Sequence, residues 1–261
     1  MDRESWLEKA KTSLRLAAEK NNPDDARILC YTNRCLESLV PHARRAVHGE
    51  MADQMNVLPG EVLISRRAVM TPATLEGNKC EEEPGIIFGT NTEMVVEDVH
   101  QDVFNFSDLD VENNLKFSME DIKTIVAKVS LGKTESSIRL MPEVGSNSRL
   151  VLDNLMEELC ERARTSTKKE ARIFWRGFFF LRDSFAHVGP ASVLTVHRSQ
   201  GSTFNDVFIA SDVFSSKDYL LRKQLAYVAI SRASRSVWIS GNKSLNSVND
   251  PWRTNLLTEK N

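Results

Sequence analysis

Two short segments hold most of the residues whose types and spacing could do chemistry. The first is Leu194-Thr195-Val196-His197-Arg198-Ser199-Gln200-Gly201-Ser202-Thr203-Phe204, ahead of the apolar run Val207-Phe208-Ile209-Ala210. An apolar strand feeds a loop that carries a hydroxyl, an imidazole, a guanidinium, an amide and a glycine. Such loops, at the carboxyl ends of strands, are where α/β sheets place ligand-binding groups. Gly201 permits close approach of backbone N–H groups to an anion, and Thr195, His197 and Arg198 are suited to phosphate oxygens. The second segment is Gln224-Leu225-Ala226-Tyr227-Val228-Ala229-Ile230-Ser231-Arg232-Ala233-Ser234-Arg235, followed by Val237-Trp238-Ile239-Ser240. Leu225, Val228 and Ala229 fall on one side of a helix, and Arg232 sits at its exposed end before a strand. A guanidinium held there can be aimed at a phosphate.

The elements that must position these groups read as an α/β pattern. Glu4 to Lys20 is an amphipathic helix with Trp6, Leu7, Ala10, Leu14 and Ala17 three or four apart. Ala26 to Tyr31 is a buried-type strand that ends in Thr32-Asn33-Arg34, and a helix runs from Cys35 to about Val47. Past Pro59-Gly60 the character changes. Val62–Val69, Gly85–Val103, Ile122–Leu131 and Ser136–Met141 are strand-like and separated by turn formers such as Thr71-Pro72, Asn113-Asn114 and Gly132-Lys133, which suggests a small β-barrel or curled sheet. The acidic run Glu81-Glu82-Glu83 reads as a solvated loop. Helices return over Arg149–Arg164 and Lys168–Ser184. The aromatics of the second, Phe174, Trp175, Phe178 and Phe179, read as core at helical spacing, with stacking on bases as the other use. From Ser192 the α/β pattern resumes.

Composition bounds the function classes. The chain has 261 residues, 41% hydrophobic and 27% charged, enough for a packed core without disulfides or metals. Cys30, Cys35, Cys80 and Cys160 form no C-x-x-C pair and do not cluster with the five histidines, so free thiols in a reducing compartment are expected and no metal site. There is no apolar run long enough for a membrane span and no secretory leader, so a cytoplasmic address is the expectation. A net charge of −2 argues against coating nucleic acid through bulk charge, but not against a local basic track. Between Thr195 and Lys243 seven Lys or Arg stand against three Asp.

The two segments resemble motifs V and VI of superfamily 1 helicases, usually T-x-H-K-S-Q-G-x-x-F and Y-V-A-x-[ST]-R-A, with Arg198 here in place of the common Lys. Gln-Gly-Ser-Thr at positions 200–203 is similar to the RecD/Dda-type enzymes rather than the UvrD type, which usually has Lys-Gly-Leu-Glu. Ile28 to Arg34 is similar to the opening strand of the second motor domain, and Gly60-Glu61-Val62-Leu63-Ile64 to the start of its inserted β-barrel. The resemblance implies an α/β fold: a RecA-like second motor domain of the P-loop NTPase type at residues 26–58 and 189–261, an N-terminal helix at 1–25, an inserted β-barrel at 59–145 and a helical return segment at 146–188.

It further implies roles. Arg232 would be the catalytic arginine finger on the γ-phosphate of ATP. Gln200 and Gly201 would join it in the nucleotide site, and Thr195, His197, Arg198, Thr32 and Asn33 would lie along the nucleic acid. The partner would be single-stranded DNA, with RNA open because no residue reads the 2′-hydroxyl. Expected settings are DNA repair and replication.

A motor ATPase also needs a phosphate loop and an acidic magnesium motif. The near match Ala127-Lys128-Val129-Ser130-Leu131-Gly132-Lys133-Thr134 reads instead as a β-hairpin turn. The resemblance places both missing motifs, and so most of the binding of ATP and Mg2+, in a first motor domain of the same or another chain. Negligible ATP hydrolysis by the 261 residues alone is therefore expected. Two other readings stand beside it: a non-catalytic single-strand-binding remnant, and a protein-interaction module.

Overall fold

The computed structural model describes residues 1–71, 85–104 and 121–241. Cys80, the Glu81–Glu83 run, Pro72, the Asn113-Asn114 turn and Lys243 lie outside them. The elements are helices α1 (Arg3–Glu19), α2 (Asn33–His48), α3 (Met51–Gln54), α4 (Asn147–Thr165), α5 (Lys168–Ser184) and α6 (Tyr219–Ile230). The strands are β1 (Ala26–Cys30), β2 (Val62–Ser65), β3 (Val69–Met70), β4 (Ile86–Phe88), β5 (Glu93–Phe104) and β6 (Ile122–Leu131), then β7 (Thr134–Arg139), β8 (Val188–Pro190), β9 (Val193–Thr195), β10 (Phe204–Ile209) and β11 (Ala233–Ile239). They divide into two compact units: Met1–Gln54 with the described residues from Ala191 onward, and the described residues of Met55–Pro190.

The first unit is built on a four-stranded sheet, β11-β10-β1-β9, in which every pairing is parallel. All five residues of β1 are buried, as expected of a parallel strand covered on both faces. Ile28, Cys30, Phe208 and Ala210 meet Trp6, Ala10, Leu14 and Ala17 of α1 and Leu36, Leu39 and Ala43 of α2 in one core. The N-terminal helix, expected as a segment of its own, is thus part of this unit's interior. Asp2 starts α1 by accepting from the Ser5 N–H at 2.9 Å. Helix α2 continues through Pro41, whose missing donor a helix interior normally resists; Leu36 and Leu39 before it and Ala43 after it are buried in the same core.

The second unit carries a five-stranded sheet, β7-β6-β5-β2-β8, with antiparallel pairings throughout. Just beyond β7 and just before β8, Leu140 and Ala186 form a parallel bridge, with Ala186 N–H donating to Arg139 O at 2.7 Å. The expected single strand Val62–Val69 is broken in two. At Arg66 the backbone N–H turns to His187 O at 2.7 Å, and the guanidinium lies flat over Gly189, where a Cβ would come within 2.5 Å of it. Helices α4 and α5 pack through Leu152, Leu155, Leu159, Phe180 and Leu181 on Phe104 and Ile122 of the sheet, so the helical segment belongs with the strands.

Gly132-Lys133 is the two-residue turn of the β6–β7 hairpin: Leu131 pairs with Thr134, and Gly132 has φ +60°. That conformation suits a glycine at the first position of such a turn. No phosphate loop is formed there. Among the described residues no helix is long and apolar enough to cross a membrane, and Cys30, Cys35 and Cys160 are free thiols.

Candidate functional site

Parallel strands place all their carboxyl ends on one edge of the sheet, and the sequence-predicted residues divide on that basis. Cys30 pairs with Thr195, so the ends of β1 and β9 lie side by side and the Val196 N–H donates to Cys30 O at 2.8 Å. Tyr31-Thr32-Asn33 and Thr195-Val196-His197 therefore occupy one edge. The His197 ring is exposed and lies 6.1 Å from that of Tyr31, tilted by 59°. Thr195 is buried, 7% exposed, and its carbonyl accepts from the Arg198 and Ser199 N–H groups. Asn33 is exposed in the first turn of α2, and Arg198 is half-buried.

Because β9 and β10 run parallel, the chain must return from the carboxyl end of one to the amino end of the other between Val196 and Thr203. The sequence reading set this whole loop at the carboxyl edge; only its first residues are there. Ser202 lies at the amino edge of the sheet, where Phe204 N–H donates to Arg232 O at 2.8 Å and Phe204 pairs with Ala233. Gly201, exposed and at φ +88°, makes the turn that precedes it. Gln200 beside it is exposed.

At this edge Arg232 is gripped by backbone. Its Nη1 donates to Ser202 O at 3.1 Å, Nε to Val228 O at 3.2 Å and Nη2 to Ser231 Oγ at 3.0 Å. A guanidinium has five N–H donors, so two remain for an anion, on a half-exposed side chain with no acidic partner among the described residues. Helix α6 holds it from the other side by burying Leu225, Ala226 and Ala229. Ala226 takes the place expected of Val228, which is only half-buried.

Several contacts at these edges escaped the sequence reading. Asp212, in the 3₁₀ turn Ser211–Phe214 after β10, receives the Tyr31 N–H at 3.1 Å, the Thr32 N–H at 2.8 Å and the Thr32 hydroxyl at 2.9 Å. The Thr32 hydroxyl oxygen also accepts from Cys35 N–H at 3.2 Å and so caps α2. Thr32 is thus occupied in shaping the edge. Behind it the Cys30 thiol, whose Sγ lies 3.5 Å from Leu194 O, is raised above the ordinary thiol range by the neighbouring Cys35 thiol and by burial. The available signal for Asp212 was an acid directly after a buried strand. Replacing Asp212 by Ala leaves two backbone donors to water and should lower the urea-unfolding free energy by about 1–2 kcal/mol; an unchanged midpoint would show the cradle to be incidental.

At the amino edge Asp25 accepts from Asn205 Nδ2 at 2.6 Å and lies 3.2 Å from Lys20 Nζ. The Asn205 hydrogen bond first, and then Lys20, hold its carboxyl below the ordinary value. Arg235 pairs with Asp206 at 2.8 Å, so the basic count along this segment overstates the charge free to meet phosphate. Among the described residues no three His, Cys, Asp or Glu side chains are grouped to hold a metal ion.

With that geometry in place, residues 190–240, which span both segments, match the UvrD-like helicase C-terminal domain family. The matched stretch is similar to that family over those residues, which are less than half of the chain. No curated protein matches the chain. Among solved structures, the chain is similar to the crystal structure of Pif1 helicase from Candida albicans, at 12% identity and a TM-score of 0.33. That match covers 90% of this chain and 50% of the other, so the chain spans about half the length of that helicase.

Proposed function

We propose that the chain is the second motor half of a superfamily 1 helicase of the RecD/Dda type, working with a first motor domain that supplies the phosphate loop and the magnesium-binding acids. One observation carries the reading: the two motif-bearing segments, remote in sequence from each other's chemistry, are locked together by the Arg232–Ser202 hydrogen bond at 3.1 Å. A guanidinium fixed by three backbone or hydroxyl oxygens is oriented before any anion arrives, which is what stabilising charge on a transferring phosphoryl group requires. ATP would bring that group. In this chain Arg232, with the exposed backbone at Gln200 and Gly201, is the part suited to meet it.

Single-stranded DNA would then lie along the opposite edge, at His197, Arg198, Asn33 and the Thr32 backbone, with the buried Thr195 setting the loop's direction. The Val196–Thr203 connection joins the two edges and so is the element able to transmit a change at one to the other. The antiparallel sheet inserted into this motor domain is proposed to curl toward a small barrel, a reading supported by the Leu140–Ala186 bridge between the extensions of its two outer strands.

Binding of a labelled oligothymidylate tests the nucleic-acid half of the proposal directly. The affinity should fall steeply with salt, and Arg198→Gln should weaken binding of every sequence alike and reduce the slope of log K against log salt by about 0.7. A chain that binds no single strand at low salt is not a helicase half. A single-strand-binding remnant would pass that test, but would not restore ATP turnover when joined with a first motor domain.

A further inference from the structure

Helix α5 carries aromatic residues on two faces, and one of them packs into the core of the described residues. Phe180 and Leu181 are buried with Phe104, Ile122 and Leu159, and Phe174 and Phe178 pack against that core. Trp175 and Phe179 point elsewhere. Their rings are stacked, 5.9 Å apart and 28° from parallel, with the Phe178 ring edge-on to both at 5.6 and 5.5 Å. Phe179 is 44% exposed. The Arg182 guanidinium lies 4.7 Å from its ring centre, and Arg172 and Arg176, both exposed, sit on the neighbouring turns. Positions 172, 175, 179 and 182 share a face by helical spacing.

The charge around this pair is also distinctive. Lys168, Lys169, Arg172, Arg176 and Arg182 stand against Glu170 and Asp183 within α5, in a chain whose net charge is −2. A surface of stacked rings bordered by cations is matched by a ligand with flat apolar faces on an anionic backbone. We infer that the Trp175–Phe179 face of α5 is a stacking platform for unpaired bases of a single-stranded nucleic acid, with Arg172 and Arg176 on the phosphates. The inference rests on the nucleic-acid reading above, but it places a contact in the second unit, on residues outside both helicase motifs. The rings take any base, since every base offers a π face, so the platform confers affinity without sequence preference.

The test uses the full chain and an oligothymidylate carrying 5-iodouracil. Irradiation should crosslink the strand to the tryptic peptides Ile173–Arg176 and Gly177–Arg182, and crosslinks confined to other peptides would overturn the inference without any mutation. In parallel, Trp175→Ala/Phe179→Ala should weaken binding about tenfold or more, with the salt slope kept. Arg172→Gln/Arg176→Gln should lower that slope by about 1.4. Wild-type affinity in the folded aromatic double variant removes the platform and leaves the helicase reading standing. A wild-type chain that binds no strand removes both. Should the double variant fail to fold, the crosslinking map decides. Concentration-dependent dimerisation abolished by the same double variant would assign this face to a second copy and overturn the inference as well.

Discussion

Arg232→Ala is expected to cut ATP turnover by about 10³–10⁵-fold when the chain works with a first motor domain, on one polypeptide or as separate chains. The size of that effect separates catalysis from structure. In its resting geometry the side chain contributes hydrogen bonds to Ser202 O and Val228 O, each worth about 0.5–1.5 kcal/mol net. Losing them lowers stability by roughly 1–3 kcal/mol, which leaves most of a protein of ordinary stability folded. A thousandfold drop corresponds to about 4 kcal/mol in the barrier, and a folded enzyme loses that only if the guanidinium meets the reacting phosphate. Arg232→Lys should remain impaired, because a point charge cannot keep the bond to Ser202 O and present two further donors in a fixed plane. Single-strand affinity measured without nucleotide should stay within about threefold of wild type, because the proposed strand contacts sit at the other edge of the sheet. Turnover preserved in Arg232→Ala would end the arginine-finger assignment.

The second large effect belongs to the core. Trp6, 1% exposed, meets Phe208 edge-on with ring centres 6.3 Å apart, and its Nε1–H donates to Trp238 O at 3.0 Å. It ties the first helix both to a central strand and to the outer strand β11. Trp6→Ala should cost about 3–5 kcal/mol in denaturant unfolding of the first unit. Trp6→Phe keeps most of the buried area but gives up the hydrogen bond, and should cost about 1–2 kcal/mol. A loss below about 1 kcal/mol for the alanine variant would contradict the placement of α1 within the same core as β1.

How much of this was legible in the residues depended on distance along the chain. Periodicity located α1, α2, α4, α5 and several of the strands, because each pattern is local. The two motif segments stood out through dense, unusual residue types. What stayed hidden was long-range. Nothing near Asp212 indicates that its carboxylate will hold the backbone at Tyr31 and Thr32, some 180 residues away. Nor does anything near Arg66 indicate that its backbone will meet His187 and its guanidinium Gly189, far along the chain. The return of the chain between β9 and β10 follows only from both strands being parallel, and that pairing placed Gly201 and Ser202 at the other edge from His197. Helix α5 does not put all its aromatics into one core: Phe180 is buried while Phe179 is exposed.

The position of β1 between β9 and β10 sets an order of events during synthesis. The first 54 residues emerge with an apolar strand and two helices whose partners, β9 to β11, are encoded after the entire second unit. At about 5–20 residues per second, the ribosome needs on the order of ten seconds to deliver them. Throughout that interval Ile28, Leu29 and the inner faces of α1 and α2 have no sheet to join. The nascent chain is therefore a natural client for chaperones that shield exposed apolar surface, while the unit in the middle is free to finish folding first.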